Sequence, residues 1–282
     1  MFKQKIKKEP PQRRDIVFKK FEPLIEYKLT KLEQKIVKIL LTADEHGCLR
    51  FLEEVMKKGK EEGAQLALSL GDVELNSAKY VELAKKFGLE GITLEMLFKR
   101  CVDADNTIDI KKLVMYGSFL PFHYLSNNII SAGFISTGEG SVQDSEDSVD
   151  SVEIKLPYRH LDYLSTIPTL LLLKGHDHAA YVGKLKGKTA REVFSGGNVI
   201  SPGFLLYRIG PSFQDDKKNN SGFLFYMYED AGTSPRSSYQ INIKKSEGGI
   251  YVVNPGALLS EKRYGLLTLD ESQYIIQLKF LP

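Results

Sequence analysis

Cysteine is scarce in this chain, with only Cys48 and Cys101 among 282 residues. Two are too few for a disulfide framework or an all-cysteine zinc site, and they read as reduced thiols in a reducing compartment. Net charge is scarce too. Lysines and arginines number 39 against 36 acids, and a balance of +3 excludes a general polyanion binder while leaving room for a local basic patch. Long apolar runs are missing: the most apolar stretch, 169–173, falls far short of the roughly 20 residues of a bilayer-crossing helix. The N-terminus, MFKQKIKKEPPQRRD, runs into further charge and two prolines where a signal peptide would have an apolar core. The expectation is a cytoplasmic protein without membrane association. What is present, 42% hydrophobic and 27% charged residues, is ordinary globular composition with enough length for one large or two small cores.

Residues 1–34 are polar and basic, are interrupted by Pro10 and Pro11, and read as an arm beside a domain spanning 35–282. Ile36 to Asp44 has the β-branched and leucine-rich pattern of a strand buried on both faces. Leu49, Leu52, Val55 and Met56 then recur at helical spacing, and Ala64 to Asp72 reads as a second buried strand, completing a βαβ unit. The spacing predicts two helices over 76–100, broken near Gly88 and Gly91, and a third strand over Lys112 to Ser118. Residues 136–153 contain no basic side chain and are dominated by Ser, Asp, Glu and Gly, the composition of a solvated loop. Ile167 to His178 is another buried strand, ending in two histidines, and the final third alternates in the manner of successive antiparallel strands. The fold class expected is α/β, becoming β-rich toward the C-terminus.

Three apolar runs terminate directly in groups able to ligate a metal: Asp44 with His46, Asp72, and His176 with His178. In a layered α/β sheet, the carboxyl ends of neighbouring strands converge on one crevice, so these five side chains are candidates for a shared site. Carboxylate oxygen combined with imidazole nitrogen suits one or two divalent ions such as Mn, Fe or Zn. Gly47, Gly71 and Gly175 adjoin the ligands and allow tight turns that bring backbone close to an anion. Taken singly, Asp44 and Asp72 are equally at home as helix caps or turn residues.

The ordered motifs DEH at Asp44–His46, GD at Gly71–Asp72, GHDH at Gly175–His178 and NPGA at Asn254–Ala257, followed by RYGLLTLD, resemble the calcineurin-like metallophosphoesterases over residues 36–270. The resemblance implies an α/β sandwich of two mixed β-sheets flanked by helices. It implies a metal-dependent phosphoesterase that hydrolyses phosphodiesters or phosphomonoesters, nucleotides or nucleic acid among them, with a metal-activated water as nucleophile. It also implies a first metal site of Asp44, His46, Asp72 and His178, and a second that shares Asp72 and adds His176.

The chain departs from the family in lacking the G-N-H-D/E motif. Ser118, Asn106, Asn127 and Asn128 are the candidate replacements for its asparagine, and His160, with His123 weighed behind it, for the family's further lone histidine. A stretch over 204–248, beyond a second partial match SPG at Ser201–Gly203, reads as an inserted hairpin or cap. The missing histidine implies either slow turnover of esters with poor leaving groups or a substitute acid such as His123 or His160. The alternative reading is a binding scaffold that keeps the fold without strong catalysis, as similar folds do in the retromer complex.

Overall fold

The computed structural model describes residues 37–102, 108–126, 128–135, 150–185, 188–195, 223–225 and 238–282. The N-terminal arm, Asn106, Asn127, the SPG tripeptide, most of the acidic stretch and most of 204–248 lie outside them.

Strand β1 (Val37–Thr42), helix α1 (Leu49–Glu61) and strand β2 (Leu66–Ser69) form the expected βαβ unit, with β1 and β2 parallel. Helix α1 forms because Leu52, Val55, Met56 and Gly59 fall on one face, which packs over Leu40 of β1. Gly59 is required at that contact, since a Cβ there would sit 2.8 Å from a methyl carbon of Leu40. Helix α2 (Ser77–Lys86), capped by the Asn76 side chain, adds Tyr80 and Ala84 to the same core.

The region read as two helices holds α2 and α3 (Leu94–Cys101), but a short strand, β3 (Glu90–Thr93), lies between them and extends the parallel ladder from β2. Gly91 permits it. A side chain at that position would collide with Ala84 and the Val81 backbone of α2.

The strand expected over Lys112 to Ser118 is not there. Asp109 caps a single helical turn, α4 (Ile110–Leu113), and Tyr116 and Gly117 adopt left-handed conformations that turn the chain into β4 (Phe119–Phe122). Pro121 disguises β4 in the sequence, and it is tolerated because β4 is an edge strand. A meander follows, β5 (Tyr124–Ser126), β6 (Ile129–Ile135) and β7 (Asp150–Lys155), the last of which takes in the end of the acidic stretch.

Helix α5 (Tyr158–Ser165) leads to β8 (Thr169–Lys174), buried along its whole length, then to β9 (Ala180–Leu185) and α6 (Ala190–Ser195). Strands β10 (Phe223–Phe225), β11 (Tyr239–Lys244) and β12 (Gly249–Pro255) come next, then the short α7 (Leu258–Glu261), β13 (Arg263–Leu269) and β14 (Gln273–Phe280). Both β10 and β11 fall within 204–248, at the edges of different sheets.

The result is a mixed α/β fold with two mixed sheets. One has the order β11-β14-β13-β1-β2-β3 and the other β10-β9-β12-β8-β4. Each is parallel on one side and antiparallel on the other. The two sheets touch where Phe119 of β4 packs edge-on to Tyr274 of β14, ring centroids 5.4 Å apart. Helices α1 and α2 cover the outer face of the first sheet, and Phe194 of α6 packs on Phe122 of the second. No helix of the described residues is long and apolar enough to cross a membrane.

Candidate metal centre

Four strands, β1, β2, β4 and β8, end in the loops that carry the ligand candidates, two from each sheet. The loops after β1 and β2 are zipped together: the amides of Asp44, His46 and Gly47 donate to the carbonyls of Gly71, Asp72 and Val73 at 3.1, 2.9 and 2.9 Å. The NPGA turn after β12 ties the two sheets at this point. Asn254 donates through Nδ2 to the Gly175 carbonyl at 3.1 Å, Ala257 N–H reaches the His178 carbonyl at 3.1 Å, and Leu258 N–H reaches the Ala43 carbonyl at 2.9 Å. Asp177, the interior residue of GHDH, is held by Lys174 and by the Tyr181 hydroxyl at 2.9 Å. The loops after β1, β2 and β8 are thus fixed without spending the side chains of the candidate ligands.

That fixing sustains unusual backbone. Asp44, His46, Asp72, Glu74, His176 and His178 all have positive φ, between 44° and 73°. Left-handed conformations are costly for residues with a Cβ, and such strain gathers where side chains must be aimed.

Two groups of possible ligands result. In one, Asp44, His46 and His178 each offer an atom within 4.8 Å of the others, and in the second Asp72, His123 and His176 do the same. The groups adjoin. His123 Nε2 lies 3.1 Å from Asp72 Oδ2 and 3.9 Å from Asp44 Oδ1, and His178 Nε2 lies 3.6 Å from Asp44 Oδ1. All five side chains singled out in the sequence therefore meet, and His123 joins them.

His123 is the residue that spacing arguments undervalued. It is buried, and Gly71, Gly133 and Gly175 wall it so closely that a Cβ on any of the three would come within 3.0 Å of its side chain. His160, ranked ahead of it, sits instead on α5, where Arg159 and Asp109 are its charged neighbours. Ser118 precedes β4, whereas His123 follows it, and the Ser118 hydroxyl is engaged by Tyr274 at 2.7 Å. Asn128 spends its side-chain amide on the Leu156 carbonyl. At the end of β3, Thr93 and Glu95 are engaged by Ser77 at 2.7 and 2.5 Å, and Glu95 also by Lys99. None of these side chains belongs to either ligand group.

The donor set fits a divalent cation. Asp44 is fully buried, yet among the described residues neither of its carboxylate oxygens has a hydrogen-bond donor. A buried carboxylate without donors is strongly disfavoured unless a cation completes it. Burial pushes the Asp44 carboxyl above the usual range, against the pull of His123 and His178.

Two imidazoles are pre-oriented by groups that sequence reasoning did not identify. His46 Nδ1 meets Glu74 Oε1 at 2.6 Å, and His123 Nδ1 meets the Leu70 carbonyl at 2.9 Å, leaving each Nε2 toward the site. Burial lowers both rings' affinity for a proton, but the facing carboxylates, Glu74 for His46 and Asp72 for His123, outweigh it and raise both pKa values. His176 is shifted down by burial and then by His123 and Lys174.

No protein-family model matches the chain, and no curated protein does. Among solved structures, a conserved Streptococcus pneumoniae TIGR4 protein described as a predicted phosphoesterase is similar at 12% identity and TM-score 0.30, over 86% of this chain and 88% of its own. A metallophosphoesterase from Sphaerobacter thermophilus is similar at 13% identity and TM-score 0.37, over 86% and 87%. The likeness is of low overall similarity, and the chemistry rests on the side chains.

Proposed function

We propose that the chain is a calcineurin-like metallophosphoesterase, hydrolysing phosphomonoesters or phosphodiesters with one or two divalent ions, Mn, Fe, Zn or similar. The observation that carries this reading is the junction of Asp44, His46 and His178 with Asp72, His123 and His176 around a buried carboxylate that has no hydrogen-bond donor among the described residues. Asp44, His46 and His178 with Asp72, His123 and His176 would hold the ions, whose chemistry when bound would be to activate a water and polarise the phosphoryl oxygens. The chain's own residues hold and orient. Glu74 and the Leu70 carbonyl set two imidazoles, and the NPGA turn locks the loops of both sheets in register.

Leaving-group protonation is the weak point. The chain has five histidines; four are in the ligand groups and the fifth is His160 on α5. No histidine remains to act as general acid, so esters with good leaving groups are the expected substrates. Nucleotide and nucleic-acid esters fall within the reaction class, and the two free cysteines suit a cytoplasmic setting.

Metal content by plasma mass spectrometry, paired with hydrolysis of bis-p-nitrophenyl phosphate under added manganese, tests the reading. Bound metal and turnover, both lost in Asp72→Ala, are expected, with turnover falling at least about 10³-fold, some 4 kcal/mol of transition-state stabilisation. A metal-free and inert protein under every ion tried would leave the binding scaffold.

A further inference from the structure

Large apolar side chains are exposed at four described positions, Leu49, Tyr124, Tyr158 and Leu259. Three of the four adjoin the site. Leu49 opens α1 three residues after His46, and the Leu259 amide donates to the Asp44 carbonyl at 3.3 Å. Tyr124 follows His123 directly, and its ring centroid lies 5.0 Å from that of His176 in an edge-on arrangement, with 38% of the residue still open to solvent. Isolated exposed apolar residues need no explanation, but an exposed aromatic ring set edge-on against a candidate metal ligand offers an apolar surface at the site itself.

Resting on the phosphoesterase reading above, we propose that Tyr124 forms the apolar wall of a substrate subsite beside His176, and that the ester bears an aromatic ring which packs against it. Aromatic pairs add binding beyond the area they bury. An aryl ester also combines such a ring with a good leaving group, which a site without a spare histidine needs. Tyr124 is then a specificity residue: it selects the organic part of the ester while the two ligand groups take the phosphoryl part.

Calorimetry on the manganese-loaded protein with phenylphosphonate and methylphosphonate separates the two parts. The probes share a phosphoryl group and charge, differ in the ring, and have no ester bond to hydrolyse. Phenylphosphonate is expected to bind about tenfold more tightly, near 1.4 kcal/mol. Tyr124→Phe should keep that advantage. Tyr124→Ala should erase it, read as the ratio of the two affinities on protein whose manganese content matches the parent's. Equal affinities in the parent protein, or a preference that survives Tyr124→Ala, would overturn the subsite. Failure of both phosphonates to bind the manganese-loaded parent would instead count against the phosphoesterase reading.

Discussion

Asp44 and Glu62 flank helix α1 and are treated in opposite ways. Glu62, after the helix, accepts from the Tyr264 hydroxyl at 2.9 Å and from Lys279, while its carbonyl accepts from Lys38 at 2.7 Å. Asp44, before the helix, is the more deeply buried, yet among the described residues its carboxylate has no hydrogen-bond donor, and its backbone is left-handed. Around Glu62 charge is paired and stabilises the fold. Around Asp44 burial is offset only in part, by His123 and His178 near one carboxylate oxygen, and a bound cation would complete the balance, which is the usual trade between stability and a working site.

The strongest way to break this contrast is Asp44→Asn. Loss of one ligand should cost metal binding and lower turnover by about 10³-fold or more. In chelator-treated protein the same change should raise stability at pH 8. The raised carboxyl pKa means that ionised Asp44 opposes folding above its unfolded value, and asparagine removes that charge. Urea midpoints of parent and variant without metal check the sign; a lower midpoint for Asp44→Asn would show that Asp44 is already compensated.

Glu45 sharpens the comparison within one loop. It is as buried as its neighbour but receives the Thr42 and Ser69 hydroxyls at 2.5 and 3.1 Å. Two neutral donors do not offset burial, which pushes its carboxyl up to about 7 from an ordinary 4.5. Because the folded value is the higher, its contribution to stability is intact below about pH 4.5, declines through pH 7 and is flat above. The loss is about 3 kcal/mol from that shift. Denaturation of chelated protein between pH 4.5 and 8 should show the decline, and Glu45→Gln should largely flatten it.

How legible was all this in the sequence? The strand ends were, because short apolar runs such as Ile39–Leu41 and Leu170–Leu173, bounded by polar and glycine residues, read as buried strands that stop at Asp44 and near His176. His123 obeys the same rule, since Phe119–Phe122 runs directly into it, but Pro121 hid the strand, and its tolerance at a sheet edge is a tertiary fact. The site's division into two ligand groups depends on how β4 and β8 of one sheet face β1 and β2 of the other, which no local pattern encodes. Glu74 and the Leu70 carbonyl were invisible for another reason: a residue's role in holding a ring appears only when the ring's position is known.

The smallest expected effect belongs to the paired cluster. Glu62→Ala removes the acceptor shared by Tyr264 and Lys279, both partly shielded from water, at a cost of about 1 to 2 kcal/mol. Tyr264→Phe, which deletes one hydrogen bond and keeps the ion pair, should cost no more than about 1 kcal/mol. Neither variant should alter manganese affinity or turnover, because the ligand loops are fixed by Asn254, Asp177 and the zipped backbone and not through Glu62. Urea denaturation beside steady-state hydrolysis measures both quantities on one preparation. If turnover fell in step with stability, α1 would be transmitting strain between its two ends, and the strained loop at Asp44 would depend on the ion pair at Glu62.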